Sequence, residues 1–310
     1  MALCPRSSNG MDQNRTTAMY ANAVRGKLTT AGILSVIIMI LAAAPVEARA
    51  QNNRPFTLAG RQLLLIERMT NSALLAALGI NASPRLKSIH WSRNRFDRTQ
   101  RELREGDPHI GLRPTTKPEI LAKLDRADQR WQQYDSIFGE IVTSAGVSKA
   151  QISALTARHA ETTDALSEMV DSYKYYVNDG AYHSIMSSAI NSTGQLRAGT
   201  QLVLRGLLLA VYRDYAMQER EQLAQLTRDF DRTMNGLIHG DTELRLLPAA
   251  TAEIRAELMK VHKMWREVQP IVESAAAGQA VTKDQIATVA RHANDMAVPL
   301  TMALIMFLSI

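Results

Sequence analysis

Residues 96–107, FDRTQRELREGD, return at 230–241 as FDRTMNGLIHGD, with seven of the twelve positions identical. The same offset of 134 residues pairs Gly60 with Gly194, Glu119-Ile120 with Glu253-Ile254, Trp131 with Trp265 and Lys149 with Lys283. A period this long marks a duplicated domain and not a solenoid of short units. The chain therefore has to fold as two copies of one module.

Periodicity makes that module helical. Ile120, Leu124, Ala127, Trp131, Tyr134, Phe138 and Ile141 follow a 4-3-4-3-4-3 spacing, which lays one apolar stripe along a long helix. The second copy keeps the stripe as Ile254, Leu258, Val261, Trp265, Val268, Val272 and Ala275. Ser148 and Thr282 stand as N-caps of the next helix, which carries Ile152, Leu155, His159, Thr162, Leu166, Met169, Tyr173 and Tyr176. Two further helices precede these in each copy, over 56–79 with 84–105, and over 190–215 with 216–239. Gly106 and Gly240 sit where a helix end favours a left-handed residue. In the helix over 84–105, Arg93 and Gln100 interrupt the apolar run of Leu86, Ile89, Phe96 and Leu103. With aromatics at 5% and no sustained alternation, strand signals are nearly absent. The expected fold class is all-α, as two tandem antiparallel four-helix bundles over 51–178 and 183–310. Between them, Asn178-Asp179-Gly180 reads as a turn, and a continuous helix is the alternative. The repeated Phe96-Asp97-Arg98 and Phe230-Asp231-Arg232 read as core Phe with Asp–Arg surface pairs on adjacent helices, and Trp131 and Trp265 as core anchors.

Residues 1–50 resemble an export signal. Arg15, Arg25 and Lys27 precede the apolar run Ala31–Ala44, and Ala48-Arg49-Ala50 has the small-x-small form of a cleavage site. The run is shorter than the roughly 18–20 residues that span a bilayer, so a cleaved, periplasmic product is expected, with an uncleaved membrane anchor as the alternative. Residues 51–310 carry 31 Lys and Arg against 28 Asp and Glu, a balance that argues against nucleic acid as a partner. The only cysteine, Cys4, lies in the signal, which leaves no disulfide, thiolate nucleophile or cysteine metal site beyond it. The apolar C-terminal stretch VPLTMALIMFLSI reads as the end of the last helix, kinked at Pro299, or else as a membrane-associating tail.

The opening stretch of the first copy, FTLAGRQLLLIERMTNSALLAALG at Phe56–Gly79, carries a family resemblance. It resembles the PilJ-type domain, the N-terminal sensor module of type IV pili methyl-accepting chemotaxis transducers, and the periplasmic domain of NarX-like nitrate and nitrite sensors. The family pattern runs approximately N-x-A-G-R-Q-R-M-L-S-Q-R-M, and Leu58, Ala59, Gly60, Arg61, Gln62, Leu64, Arg68 and Met69 are in step with it. The second copy, INSTGQLRAGTQLVLRGLLLA, matches through Asn191, Gly194, Leu196 and Arg197. In the nitrate sensors the arginine three residues after the motif glycine holds the anion at a dimer seam, one from each protomer. The corresponding residues here are Leu63 and Arg197.

The resemblance implies a ligand site at Gly194 and Arg197, with Gly60, Arg61 and Arg68 as its degenerate twin. It also implies a nitrate- or nitrite-like anion as ligand, a possible homodimer, and a membrane receptor or envelope protein to receive the signal. No HExxH, Glu-x-x-His pair, G-x-S-x-G, phosphate loop or dinucleotide fingerprint occurs in the sequence. The expectation is an exported sensory module, not an enzyme, with no cofactor and no metal. His159 and His292 read as satisfied core or seam histidines. The alternative is a structural adaptor that docks onto an envelope complex through its bundle faces and apolar C-terminus.

Overall fold

Apolar residues spaced three and four apart produce helices of 23 to 29 residues through most of the chain. The computed structural model describes the backbone of residues 30–177 and 184–309, and the side-chain surroundings of residues 54–173 and 188–309. Its helices are α1 (Thr30–Ala77), α2 (Ala82–Glu105), α3 (Pro118–Thr143), α4 (Lys149–Val177), α5 (Ser184–Tyr212), α6 (Met217–His239), α7 (Ala252–Ala276), α8 (Lys283–Asp295) and α9 (Ala297–Ser309). The chain divides into Met1–Arg49 and Ala50–Ile310. Of the expected export signal, residues 1–29 lie outside the described residues, and the helix of α1 begins at Thr30. Among the described residues no helix is long and apolar enough to cross a membrane.

Within Ala50–Ile310 the all-α class holds, and the element order repeats once: α1–α4, then α5 to the α8–α9 pair. Among the described residues the only ladder-type pairings are two isolated bridges, Asp107 with Leu112 and Asp241 with Leu246, at equivalent places in the two copies. Each follows the glycine that ends a helix. Gly106 (φ 81, ψ 172) and Gly240 (φ 91, ψ 151) have the positive φ expected there, but an extended ψ in place of the left-handed one. A Cβ at Gly106 would lie 2.7 Å from the Leu112 carbonyl oxygen, so the loop folds back where only glycine fits. The expected turn at Asn178-Asp179-Gly180, and with it the boundary between residues 178 and 183, lies outside the described residues.

Every residue of both stripes on the third helices is buried. So are those of α4 from Ile152 to Tyr173. The Phe–Trp repeat forms one contact twice. Phe96 stacks on Trp131 at 4.0 Å between ring centroids, and Phe230 meets Trp265 at 4.4 Å. The aspartates do not form the expected pairs with arginine on adjacent helices. Asp97 accepts the Trp131 indole N–H at 2.7 Å and Asp231 that of Trp265 at 3.2 Å. Arg98 turns to Glu102, and Arg232 to Asp241 and Glu243. A buried indole needs an acceptor, and the helix before it supplies one from the residue beside the stacked Phe.

The gaps at Arg93 and Gln100 are filled by polar bonds. Arg93 reaches Asp135 through two contacts of 2.5 and 2.8 Å. Gln100 accepts from Gln62 on α1 and donates to Asp128 on α3.

The last helix is divided at Met296, ahead of the expected kink at Pro299. Proline has no N–H to offer the carbonyl four residues back, so the ladder fails at Asp295 and restarts at Ala297. The tail is a packed helix: Leu300, Ala303, Leu304, Phe307 and Leu308 are buried. Its N-terminal partner α8 opens with a complete capping box between Thr282 and Gln285. Thr282→Ala is expected to lower stability by about 1 kcal/mol, read as a reduced urea midpoint with an unchanged slope. A substitution without effect would show that α8 takes its start from packing alone.

Candidate functional site

The first helices of the two copies lie against each other. Asn71 on α1 donates to the backbone carbonyl and to the side-chain oxygen of Gln201 on α5, at 3.0 and 3.1 Å. Glu67 on α1 meets Arg205 on α5 at 3.2 Å. A Cβ on Gly60 of α1 would lie 3.5 Å from Arg197 Nη2 on α5. Each contact joins residues within four of the 134-residue repeat offset, so the two helices run side by side in the same direction.

These contacts also exchange under the repeat. Shifting Glu67 and Arg205 by the offset converts them into Gln201 and Asn71, the other bonded pair. Reciprocal contacts of that kind define an isologous interface, in which residue i meets j and the equivalent of j meets the equivalent of i. The two copies thus face each other about a pseudo-twofold axis at the α1–α5 seam.

The pairs have diverged in charge. On one side, Glu67 (3% exposed) lies 3.0 Å from His159 Nε2 on α4 and 3.2 Å from Arg205. Both contacts lack hydrogen-bond alignment, leaving Glu67 Oε2 and His159 Nε2 without a hydrogen-bond partner. Arg205 Nη1 stands 2.7 Å from His159 Nδ1. A guanidinium only donates, so Nδ1 accepts and the ring proton sits on Nε2, facing Glu67. Burial by itself pushes the Glu67 carboxyl up, but contacts with His159 and Arg205 outweigh it and hold the group below its ordinary value. On the other side, Gln201 donates to the Ala293 carbonyl, and Ala293 is the repeat equivalent of His159. One arm of the seam is ionic and the other is neutral.

A cavity of about 470 Å³ lies on this axis, and its walls come in repeat-related pairs: Phe56 with Ile190, Gly60 with Gly194, Leu63 with Arg197, Leu64 with Ala198, and Val170 with Leu304. Glu67, His159 and Arg205 line it as well. Arg197 is 8% exposed. Its only side-chain hydrogen bond among the described residues is a 3.4 Å contact to the Thr301 hydroxyl on α9, and no carboxylate pairs with it there. Burial first, and then the nearby positive charge of Arg61, push its guanidinium below the ordinary arginine range.

Of the residues expected at the site, Gly60, Gly194 and Arg197 all line the cavity. Arg61 does not line it but acts on Arg197 through its charge. Arg68 lies outside the lining, on α1, half-buried. Sequence reasoning missed Glu67, Arg205 and Thr301. The signal that could have found the first two was the opposite exchange at equivalent positions, Glu67 against Gln201 and Asn71 against Arg205.

Comparison with known families settles what the repeated module is. The model of the type IV pili methyl-accepting chemotaxis transducer N-terminal domain, PilJ, matches residues 57–159 and 181–293. The chain belongs to the PilJ family. Its two PilJ segments end at His159 and Ala293, residues that the repeat makes equivalent, and α9 with Thr301 and Leu304 follows the second. A search of curated proteins found no significant match. The family is one of sensory domains of the chemotaxis-transducer type.

Proposed function

We propose that this protein is an exported, periplasmic PilJ-type sensor that binds a small anion at the seam between its two copies, at Arg197, and relays its state to a separate membrane partner. The observation that carries the reading is Arg197 itself. A guanidinium buried without a carboxylate is costly unless another charge compensates it, and this one borders a cavity and is pressed by a second positive charge at Arg61. An anion there would offset both, with Gly60 and Gly194 leaving room for it. Since the two copies supply both halves of the seam, the site needs no homodimer to complete it. Coupling would follow from the position on the axis, because a ligand touching α1 and α5 together favours one spacing of the copies over another.

The test is a thermal melt of the purified protein against nitrate, nitrite and a panel of small oxyanions, with Arg197→Ala alongside. Ligand at about a hundred times its Kd is expected to add about 2.7 kcal/mol, and the gain is expected to vanish in the variant. If no anion shifts the melt, the reading fails.

An adaptor role has one observation in its favour: α9 leaves Val298, Met302 and Ile305 exposed at 68%, 47% and 46%, one row along the helix. An adaptor would keep its partner in the Arg197→Ala variant and lose it on Met302→Glu.

A further inference from the structure

We propose that the ligand of the seam cavity is an organic monocarboxylate with an apolar body, held by its carboxylate at Arg197 and by its body against the Leu63 side of the axis. The proposal rests on the reading of Arg197 as an anion site and names the class of anion.

Three observations carry it. The first is asymmetry at the axis. A planar inorganic oxyanion is the same on both faces and suits two facing guanidiniums, whereas this axis presents Arg197 on one side and Leu63 at the equivalent position on the other. Thr301 backs Arg197, and its repeat equivalent Ser167 is another lining residue. A site with one cation and one apolar wall is complementary to a molecule with one charged end and one apolar end.

The second observation is size. About 470 Å³ falls within the roughly 300–1,000 Å³ of pockets that take organic ligands. An ion of four heavy atoms would leave most of that space to water against apolar walls. The walls run from Phe56 and Ile190 through Leu64 to Leu202, and burying a carbon chain there supplies hydrophobic free energy that an inorganic ion cannot.

The third is the charge balance. The Glu67 charge is matched by Arg205, with the His159 ring beside it. The other acid in the lining, Asp171, has interactions of its own at the exposed end of α4. Within the lining Arg197 remains as the cation without a carboxylate partner, which calls for a negative charge there. A dicarboxylate would bring a second charge with no further unpaired cation in the lining to receive it. Bidentate recognition of one carboxylate by one guanidinium is the geometry that arginine favours.

The experiment is isothermal titration of the purified protein with nitrate, a straight-chain series from acetate to octanoate, benzoate, and the neutral amide octanamide. Affinity is expected to rise about fourfold per added methylene, at roughly 0.8 kcal/mol each, until the cavity is filled. Octanamide is expected to bind at least about tenfold more weakly than octanoate, as is octanoate to Arg197→Gln, since a hydrogen bond to a charged group is worth roughly 1.5–3 kcal/mol. Two variants separate the body from the head. A Cβ on Gly194 meets nothing within 4 Å, so Gly194→Leu projects into open space and should abolish octanoate binding without loss of helix content. Leu63→Arg restores a second guanidinium, and should weaken octanoate at least about tenfold while strengthening nitrate.

Nitrate binding without octanoate binding would overturn the carboxylate class and leave the anion reading intact. Binding of no anion at all would overturn both. Equal binding of octanoate and octanamide would show an apolar cavity indifferent to Arg197, and would overturn the proposal from the other direction. Octanoate binding that survives both Gly194→Leu and Leu63→Arg would place the ligand elsewhere and overturn it too.

Discussion

Replacing Trp265 with alanine is expected to destabilise the protein by about 3–5 kcal/mol, the range for truncating a large aromatic in a packed core. Trp265 is 1% exposed, its ring lies 4.4 Å from that of Phe230, and its indole donates to Asp231. The substitution therefore opens a cavity between α6 and α7 and leaves Asp231 without its donor. Trp265→Phe keeps most of the apolar volume and loses the indole bond, for which about 1 kcal/mol is expected. Urea unfolding followed by circular dichroism reads both. A midpoint unchanged in Trp265→Ala would remove the Phe–Trp stack from the list of anchors. Trp131→Ala does the same in the first copy, and the pair of variants reports how the copies are coupled. If Ala50–Ile310 unfolds as one compact unit, each lowers the same single transition; if the copies melt separately, each lowers its own.

Glu67→Ala is expected to cost about 3 kcal/mol or more, because it leaves the Arg205 guanidinium and His159 facing a void at the centre of the seam. Removing one member of a buried ionic group is worse than never having had the group, since the survivor keeps its desolvation cost without its partner. Glu67→Gln is the milder control, for glutamine is what the equivalent position 201 already carries. The comparison has a pH signature. The folded structure holds the Glu67 carboxyl below its ordinary value of 4.5, so its contribution to stability is full above that value and is lost as pH falls through the folded one. The gap in urea midpoint between the parent and Glu67→Gln should therefore be widest near neutrality and close in acid. A gap that stays constant through the acid limb would show that the carboxylate is not ionised in the seam.

Much of the fold was legible because helices and their faces are local properties. Every residue that the 4-3 spacing placed on the stripes of α3 and α7 is buried, with Ile137 added to the first, and the Thr282 cap follows from residue type alone. The Asp97 and Asp231 partners were misread because each aspartate looks like a surface charge open to an arginine of an adjacent helix, while the indoles that claim them lie 34 residues away. The break at Met296 was displaced from the proline because the missing hydrogen bond is felt at the carbonyl four residues earlier. Gly60, Gly194 and Arg197 were singled out through their motif, and all three line one cavity. Glu67 and Arg205 carried no motif, and each looked like an ordinary charge on an amphipathic helix.

The sequence by itself determined that this protein is all-helical, that it is one module twice, and which face of α3, α4 and α7 is buried. All of these follow from spacing within a few turns of the chain and from self-similarity, which a linear reading can see. Only the tertiary structure decided how the copies meet. It set α1 against α5 about a pseudo-twofold axis, joined Glu67 to Arg205 and Asn71 to Gln201 across it, and put Arg197 opposite Leu63 on the wall of one cavity. Those pairings link residues some 130 positions apart. Their existence depends on the packing of whole helices against one another, to which no local pattern of hydrophobicity or charge is sensitive.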